Sequence, residues 1–300
     1  MRQDFRNEQQ QRNSETAGLA DSYAGHRENV MRLITATAND LGGGPDQQLS
    51  SVVLLGAGNC LDVDLPQLAG RFQKIHLIDV DEDAVTAAVR KSGVAEQCDI
   101  HAPADIAEPL LSLTSRDFRS TDENREHRIQ ILQLLTAPNA LAEIPEADVV
   151  VSLCVFSQII GTLGRIVSQN HPTFENTLKA VRIGHLRRMI NMLRPGGVAV
   201  FVSDVVSSES APELLTTTSQ ALPELVRTLV NDGNFFSGTN PALMLADLNL
   251  LSRLPGGPDT VHTIDPWLWH MGERAYAVYA FRIQKQLPES DDGAEIDPAL

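Results

Sequence analysis

Apolar residues in the middle of the chain fall into short continuous runs, separated by stretches with helical periodicity. The clearest runs occupy residues 51–55, 74–79, 148–154 and 198–203, and a weaker one lies near residues 98–101. A continuous apolar run bounded by turn residues is typical of a strand that is buried on both faces of a sheet. Because these strands alternate with helical segments, the pattern predicts an α/β fold with a parallel, doubly wound sheet.

The last part of the chain departs from this alternation. Residues 261–270 and 275–283 both have strand-like patterns, and only residues 271–274 separate them. So short a connection has no room for a crossover helix, and the two strands must therefore form an antiparallel hairpin. The sequence thus predicts five parallel strands followed by an antiparallel C-terminal hairpin.

The remaining segments divide the chain into a central domain at residues 46–285 and two flanks. Residues 1–20 are rich in Gln, Asn, Arg and Glu, and they are predicted to be disordered because they can bury little apolar surface. Residues 21–45 are predicted to form a helical extension that ends at a Gly-Gly-Gly-Pro run. Residues 286–300 form an acidic, Pro-containing tail.

Two stretches of the central domain are longer than the sheet requires, at about residues 111–147 and 207–257. Long insertions after the carboxyl ends of strands often form lids or pockets for an acceptor. Surface decoration is the alternative, and the sequence leaves both open.

Charge and cysteine content narrow the classes of function. The formal net charge is -15, which argues against nucleic acid and against an anionic membrane surface as partners. The three cysteines lack metal-ligand spacing, so neither a disulfide framework nor a metal site is expected. Because no apolar run is long enough for a transmembrane helix and the N-terminus is polar, we expect a cytoplasmic protein. The oligomeric state stays open.

A glycine turn follows the first predicted strand, at Gly56-Ala57-Gly58. Glycines at such a turn let the backbone bend sharply and approach a ligand, toward which the N–H groups of the following helix point. Asp79 ends the second strand, 23 residues after Gly56, where a carboxylate can accept hydrogen bonds from the ribose hydroxyls of an adenosine. The alternative is a tight strand-to-helix turn in which Asp79 merely caps the next helix.

The residues after the glycine turn favour a cationic ligand over a dinucleotide. Leu61 occupies the position of the third glycine in the dinucleotide fingerprint, and Asp62 and Asp64 follow it. Carboxylates at this position would repel a pyrophosphate, but they tolerate the sulfonium and ammonium groups of S-adenosylmethionine. The electrostatics therefore favour S-adenosylmethionine over NAD.

The chain resembles the class I, Rossmann-like S-adenosylmethionine-dependent methyltransferases over roughly residues 50–285. Four segments carry the resemblance: LLGAGNC at 54–60, IHLIDVDEDAV at 75–85, DVVVSLCVFSQI at 148–159 and LRPGGVAVFVSD at 193–204. The resemblance implies a seven-stranded, mostly parallel sheet that ends in an antiparallel hairpin. It also implies S-adenosyl-L-methionine as the cofactor, although no subfamily is identified.

The resemblance further assigns residues to the parts of this cofactor. Many family members have an acid two residues before the first glycine, where this chain has Leu54, so Asp62 is left to supply a carboxylate near the cofactor's amine. Asp99 competes with Asp105 for the adenine edge. The implied contacts are Gly56, Ala57 and Gly58 with the aminoacyl part, Asp79 with the ribose, Val80 with the adenine, Asp105 and Ile106 with its edge, and Cys154 and Val155 with the methionine part.

Methyl transfer requires mainly that a nucleophile be aligned with the activated methyl group and that water be excluded. A general base is needed only when the acceptor must first lose a proton. No catalytic residue is identified; His171, Asp204 and His270 are the candidates for a base, with Ser157 and Gln158 nearby. The predicted function is methyl transfer to a small-molecule or protein acceptor. The alternatives are an NAD(P)-dependent oxidoreductase and a binding or scaffold protein without catalysis.

Overall fold

The computed structural model describes residues 2–44, 47–118, 125–137 and 144–288. Its helices are α1 (Arg2–Thr16), α2 (Ala24–Asp40), α3 (Leu65–Ala69), α4 (Glu82–Ser92), α5 (Arg125–Thr136), α6 (Phe156–Ile166), α7 (Phe174–Asn191), α8 (Leu222–Asn231) and α9 (Pro241–Leu251). Its strands are β1 (Leu49–Leu55), β2 (Phe72–Ile78), β3 (Cys98–His101), β4 (Ala147–Leu153), β5 (Leu193–Ser207), β6 (Pro258–Met271) and β7 (Arg274–Lys285).

These strands form a seven-stranded sheet in the order β3-β2-β1-β4-β5-β7-β6. Strands β1 to β5 are parallel to their neighbours, whereas β7 is antiparallel to both β5 and β6. In the centre of the sheet, Val52 of β1 pairs with Ile75 of β2 on one side and with Val149 of β4 on the other. The predicted doubly wound sheet with a C-terminal antiparallel hairpin is confirmed.

Helices cover both faces of the sheet, which explains the continuous apolar runs. Side chains from α5 to α9 pack with Phe156 and Phe201 on one face, and side chains from α2, α3 and α4 pack with Val52 and Leu77 on the other. The four residues from Val52 to Leu55 are fully buried. A strand with no solvent-facing side must be apolar at consecutive positions rather than at alternate ones.

The N-terminal segment differs from the prediction of disorder for residues 1–20. Residues 2–16 form α1, whose Phe5 is only 6% exposed and packs in the main core. Asn13 on the same helix donates a 2.9 Å hydrogen bond from Nδ2 to Oδ2 of Asp81. Tertiary contacts thus hold a helix whose polar composition gives no sign of them, because helical stability in proteins comes mostly from packing.

The helical extension, the two insertions and the tail predicted from the sequence compare with the structure as follows. Helix α2 occupies most of the predicted extension at residues 21–45, and α8 and α9 lie in the insertion at 207–257. The insertion at 111–147 contains α5, but residues 119–124 and 138–143 lie outside the described residues. Of the acidic tail at 286–300, residues 289–300 also lie outside them. Within the described ranges, no helix has the length and apolar character needed to cross a membrane.

Candidate active site

A cavity of about 480 Å³ opens at the carboxyl ends of the parallel strands. It spans the point between β1 and β4 at which the strand order reverses, where doubly wound sheets bind ligands. Its volume lies within the range of small-molecule sites. All the residues that the resemblance assigns to the cofactor line it, namely Gly56, Ala57, Gly58, Asp62, Asp79, Val80, Asp105, Ile106, Cys154 and Val155.

The glycine turn needs glycine for two separate reasons. Gly56 has φ +78° and Gly58 has φ +45°, in the left-handed region that L-residues with a side chain rarely adopt. A Cβ on Gly56 would also lie 2.8 Å from Cβ of Val155, the second residue after the end of β4. The turn therefore brings the backbones after β1 and β4 together at the cavity.

The helix after this turn begins later than the sequence suggests. Helix α3 starts at Leu65, and its N-cap Asp64 accepts a 2.9 Å hydrogen bond from the backbone N–H of Gln67. One N–H of its first turn, that of Gln67, is therefore occupied by a side chain, and Pro66 has no N–H, so the expected row of N–H groups facing a ligand is not formed. A pyrophosphate has no helix N-terminus to bind here.

Asp79 is fixed against the glycine turn by both of its carboxylate oxygens. Oδ2 accepts a 2.8 Å hydrogen bond from the backbone N–H of Gly58, and Oδ1 accepts a 2.9 Å bond from that of Asp81. Burial raises the pKa of Asp79, and these backbone N–H groups oppose the rise. Helix α4 is capped by Asp81, not by Asp79, so the alternative role of Asp79 as the cap is wrong. Each carboxylate oxygen retains a lone pair for a ligand hydroxyl.

The loop after β3 carries Asp105 and Ile106 to the other side of Asp79. Arg188 of α7 donates from Nη1 to the carbonyl oxygen of Ile106 at 2.7 Å, and from Nη2 to that of Glu108. This buried guanidinium fixes the loop from behind. Asp99, the competitor for the adenine edge, lies in β3 and forms a 3.2 Å ion pair with Lys74; it does not line the cavity.

Asp62 lies at the end of a chain of side chains from distant parts of the sequence. Nε2 of His26 lies 3.1 Å from Oδ1 of Asp62, and Nδ1 of His26 accepts a 3.2 Å hydrogen bond from the indole N–H of Trp267. The two atoms lie close, but their approach does not have hydrogen-bond geometry, so both Nε2 of His26 and Oδ1 of Asp62 are buried without a hydrogen-bond partner in the part of the chain that the structure describes. Sequence reasoning missed this arrangement, since 241 residues separate His26 from Trp267 and neither belongs to a motif.

The end of β4 provides the central part of the wall. Cys154 has φ +48° and is buried. Burial raises the pKa of its thiol well above the usual value, with smaller contributions from Asp204 and Asp62. The residue is therefore a neutral thiol, which is the state expected of a packing residue rather than of a nucleophile.

The candidate bases separate into two groups. Asp204 of β5 lines the cavity, as do Ser157 and Gln158. His171 lies in the loop before α7, where its Nδ1 is 2.8 Å from Oγ1 of Thr173, and His270 is an exposed residue of β6. Neither histidine lines the cavity, so the structure brings Asp204 alone of the three to it.

Helix α1 covers the cavity, which sequence reasoning also missed. Nδ2 of Asn59, in the glycine turn, donates a 2.6 Å hydrogen bond to the carbonyl oxygen of Asn13. Phe5 and Gln9 are buried on the same face one turn apart, but Phe5 is the single apolar residue of the helix, so the sequence shows no apolar stripe. The residues of α1 that line the cavity are Phe5, Gln9, Arg12, Asn13, Glu15 and Thr16.

Strand order decides the fold class. The sheet has seven strands, is parallel from β1 to β5 and ends in an antiparallel hairpin, as the resemblance implied, and its order is 3-2-1-4-5-7-6, with the glycine turn after β1 and an acid after β2. The chain has the class I methyltransferase fold. No protein-family model and no curated protein matches this methyltransferase-like chain.

Solved structures of methyltransferases are similar to the chain at low identity. The N-methyltransferase NodS of Bradyrhizobium japonicum WM9, in complex with S-adenosyl-L-homocysteine, has 13% identity and a TM-score of 0.44, with 88% of this chain and 87% of that chain covered. Cofactor-bound Rv0187 of MTB has 11% identity, a TM-score of 0.42 and coverages of 91% and 89%. An O-methyltransferase family protein of Burkholderia thailandensis has 12% identity and a TM-score of 0.37, with 92% of this chain and 63% of that chain covered. These similarities are too low to transfer any residue's role, which has to be argued from the site itself.

Proposed function

We propose that the cavity binds S-adenosylmethionine and that the protein transfers its methyl group to an acceptor. The observation that carries the proposal is the position of Asp79. Its carboxylate lies in the cavity wall, hydrogen-bonded to Gly58 of the turn after the neighbouring strand. In doubly wound folds, a carboxylate at this place accepts hydrogen bonds from the ribose of an adenosine ligand.

The charges along the wall select among adenosine ligands. Five carboxylates line the cavity, against the guanidinium groups of Arg12 and Arg274, and Arg274 is paired with Glu209 at 2.6 Å. A sulfonium and an ammonium are attracted to such a wall, whereas a pyrophosphate is repelled. The five carboxylates belong to Glu15, Asp62, Asp79, Asp105 and Asp204.

Catalysis in such a site consists of alignment and exclusion of water. The methyl group is already activated by the positive sulfur, so the protein must hold the acceptor atom in line with the methyl carbon. The glycine turn, the loop after β4 and the Arg188-bound loop would fix the cofactor, and α1 would close the cavity above it. Asp62, whose buried Oδ1 has no hydrogen-bond donor among the described residues, would receive the cofactor's amino group.

Calorimetric titration of the full chain tests this proposal. S-adenosylhomocysteine and S-adenosylmethionine should each bind at one site per chain, and NADH should give no heat of binding. Binding of NADH with no response to S-adenosylhomocysteine would support an oxidoreductase instead. Heat from none of the three would leave only a scaffold role. Transfer of a radiolabelled methyl group to acceptors in an extract then tests the catalytic step.

A further inference from the structure

The cavity extends beyond the part that the cofactor would fill. Asp79 follows β2, and Asp204 belongs to β5, three strands away across β1 and β4. Adjacent strands lie about 4.8 Å apart, so the two carboxylates are separated by about 14 Å along the sheet. The adenosine end lies at Asp79 and the methionine end at Cys154, next to β5. The region around Asp204 and the β6–β7 hairpin is therefore available to the acceptor.

Asp204 has an unused acceptor atom in this region. The residue is only 9% exposed, it lines the cavity, and its Oδ1 is buried without a hydrogen-bond partner. Within the described ranges it forms no ion pair; the neighbouring Ser157 hydroxyl opposes the rise that burial causes in its pKa, and His26 of α2 and Arg12 of α1 do so more weakly. A buried carboxylate oxygen without a donor is unfavourable, and a ligand N–H or O–H that reaches it removes that cost.

Aromatic rings form the rest of this end of the cavity. The ring centroids of Tyr23 and Trp269 are 5.0 Å apart in an edge-to-face arrangement, and those of Trp269 and Tyr276 are 5.4 Å apart. All three rings line the cavity, together with Met271. Burial raises the pKa of Tyr23, so its ring stays a neutral phenol. Electron-rich rings beside a carboxylate form an environment that binds an organic cation.

We propose that the acceptor is an amine whose nitrogen is held by Asp204 beside the rings of Tyr23, Trp269 and Tyr276. This inference rests on the proposed function, and it names the substrate class of that site. An acceptor carboxylate would be repelled by Asp204. A neutral alcohol would use the carboxylate but would gain little from the aromatic rings.

The proposed step transfers one methyl group and one proton. The bound ammonium first gives a proton to Asp204, whose pKa is raised by burial and which is therefore a better base than an exposed carboxylate. The nitrogen lone pair then forms a bond to the methyl carbon while the carbon–sulfur bond breaks, and its electron pair stays on sulfur. The products are a methylated ammonium and the neutral thioether, and Asp204 later releases its proton to water.

The affinity ratio of two cofactor analogues tests this proposal. In sinefungin, a carbon atom replaces the sulfur of S-adenosylmethionine, and an amine on that carbon replaces the transferable methyl group. S-adenosylhomocysteine has a neutral thioether at the same place. If Asp204 faces this position, sinefungin should bind the full-length protein at least tenfold more tightly than S-adenosylhomocysteine. In Asp204→Asn, the preference for sinefungin over S-adenosylhomocysteine should fall below threefold. Asp259→Asn, at an exposed position of β6, should keep the wild-type preference.

The outcomes test the proposed function and the amine acceptor separately. Failure of S-adenosylhomocysteine to bind the wild-type chain overturns the proposed function itself. Normal binding of S-adenosylhomocysteine with a sinefungin preference below threefold overturns the amine acceptor and leaves the proposed function standing. A preference for sinefungin that persists in Asp204→Asn also overturns the amine acceptor. If that variant does not fold, the wild-type ratio alone decides.

Discussion

The backbone N–H of Gly58 donates a 2.8 Å hydrogen bond to Oδ2 of Asp79, joining the turn after β1 to the tip of β2. This bond holds a carboxylate in the wall of the cavity with lone pairs to spare. The same turn also has a positive φ at Gly56 and brings Gly56 close to Val155. The account of the site depends on this pair.

Replacing Asp79 should weaken cofactor binding more than it weakens the fold. We expect Asp79→Asn to raise the dissociation constant for S-adenosylhomocysteine by about 5- to 150-fold, corresponding to about 1–3 kcal/mol for the loss of a charged hydrogen-bond partner. The same change at Asp99, which pairs with Lys74 outside the cavity, is the control and should leave binding unchanged. Equal affinities in the two variants would contradict the ribose assignment.

Two glycines with nearly the same φ allow strain and crowding to be separated. Gly56 has φ +78° and Gly93 has φ +75°, but a Cβ on Gly93 would meet nothing within 4 Å. We expect Gly93→Ala to cost about 1–2 kcal/mol of unfolding free energy for the left-handed conformation alone. Gly56→Ala should cost about 1–3 kcal/mol more because it crowds Val155. Urea denaturation measures both, and similar losses in the two variants would refute the close approach.

Helix α1 should slow the release of the cofactor. Asn13→Ala removes the hydrogen bond to Asp81, and we expect the dissociation rate of S-adenosylhomocysteine to rise severalfold, since such a bond contributes about 1 kcal/mol. Gln11→Ala is the control, because Gln11 is exposed and its side chain bonds to Glu15, one turn away on the same helix. Stopped-flow displacement gives the rates. An unchanged rate in Asn13→Ala would show that α1 does not cover the bound cofactor.

A buried histidine should make the fold sensitive to acid. Burial lowers the pKa of His185 to about 3, while its Nε2 lies 2.9 Å from Oγ of Ser152. Below about pH 6.5 the unfolded chain gains a proton that the folded chain refuses, so stability falls by about 1.4 kcal/mol per pH unit until about pH 3.

His185→Gln removes this dependence because glutamine does not titrate. Relative to the wild type, the variant should lose about 2 kcal/mol less unfolding free energy between pH 6.5 and pH 5. His262→Gln, at an exposed position of β6, should follow the wild-type curve. Unfolding in urea at the two pH values measures the difference, and parallel curves for both variants would show that His185 does not carry the effect.

Local patterns were enough to predict the sheet and one wall of the site. Apolar runs marked the buried strands, and the predicted four-residue connection at 271–274, which in the structure is only the two residues Gly272 and Glu273, allowed only a hairpin. The glycine turn and Asp79 could be placed together because the carboxyl ends of adjacent parallel strands share an edge. Each of these inferences follows from residues that are close in sequence or from the way parallel strands are connected in a sheet.

Contacts between distant polar residues could not be predicted in this way. The docking of α1 depends on Asn13 meeting Asp81 and Asn59, and the position of His26 beside Asp62 depends on its hydrogen bond with Trp267. No periodicity records such pairs, since each is formed by one side chain at a place fixed only by the finished fold. For the same reason, Asp204 could not be separated from His171 and His270 as a candidate base.

The central claim is that the ribose of a phosphate-free adenosine cofactor rests on Asp79. The crystal structure of the protein in complex with S-adenosylhomocysteine tests it most directly. We predict that both ribose hydroxyls lie within hydrogen-bond distance of the Asp79 carboxylate, with the sulfur directed toward Cys154 and Asp204. A ligand bound elsewhere, or a ribose that makes no contact with Asp79, would contradict the account.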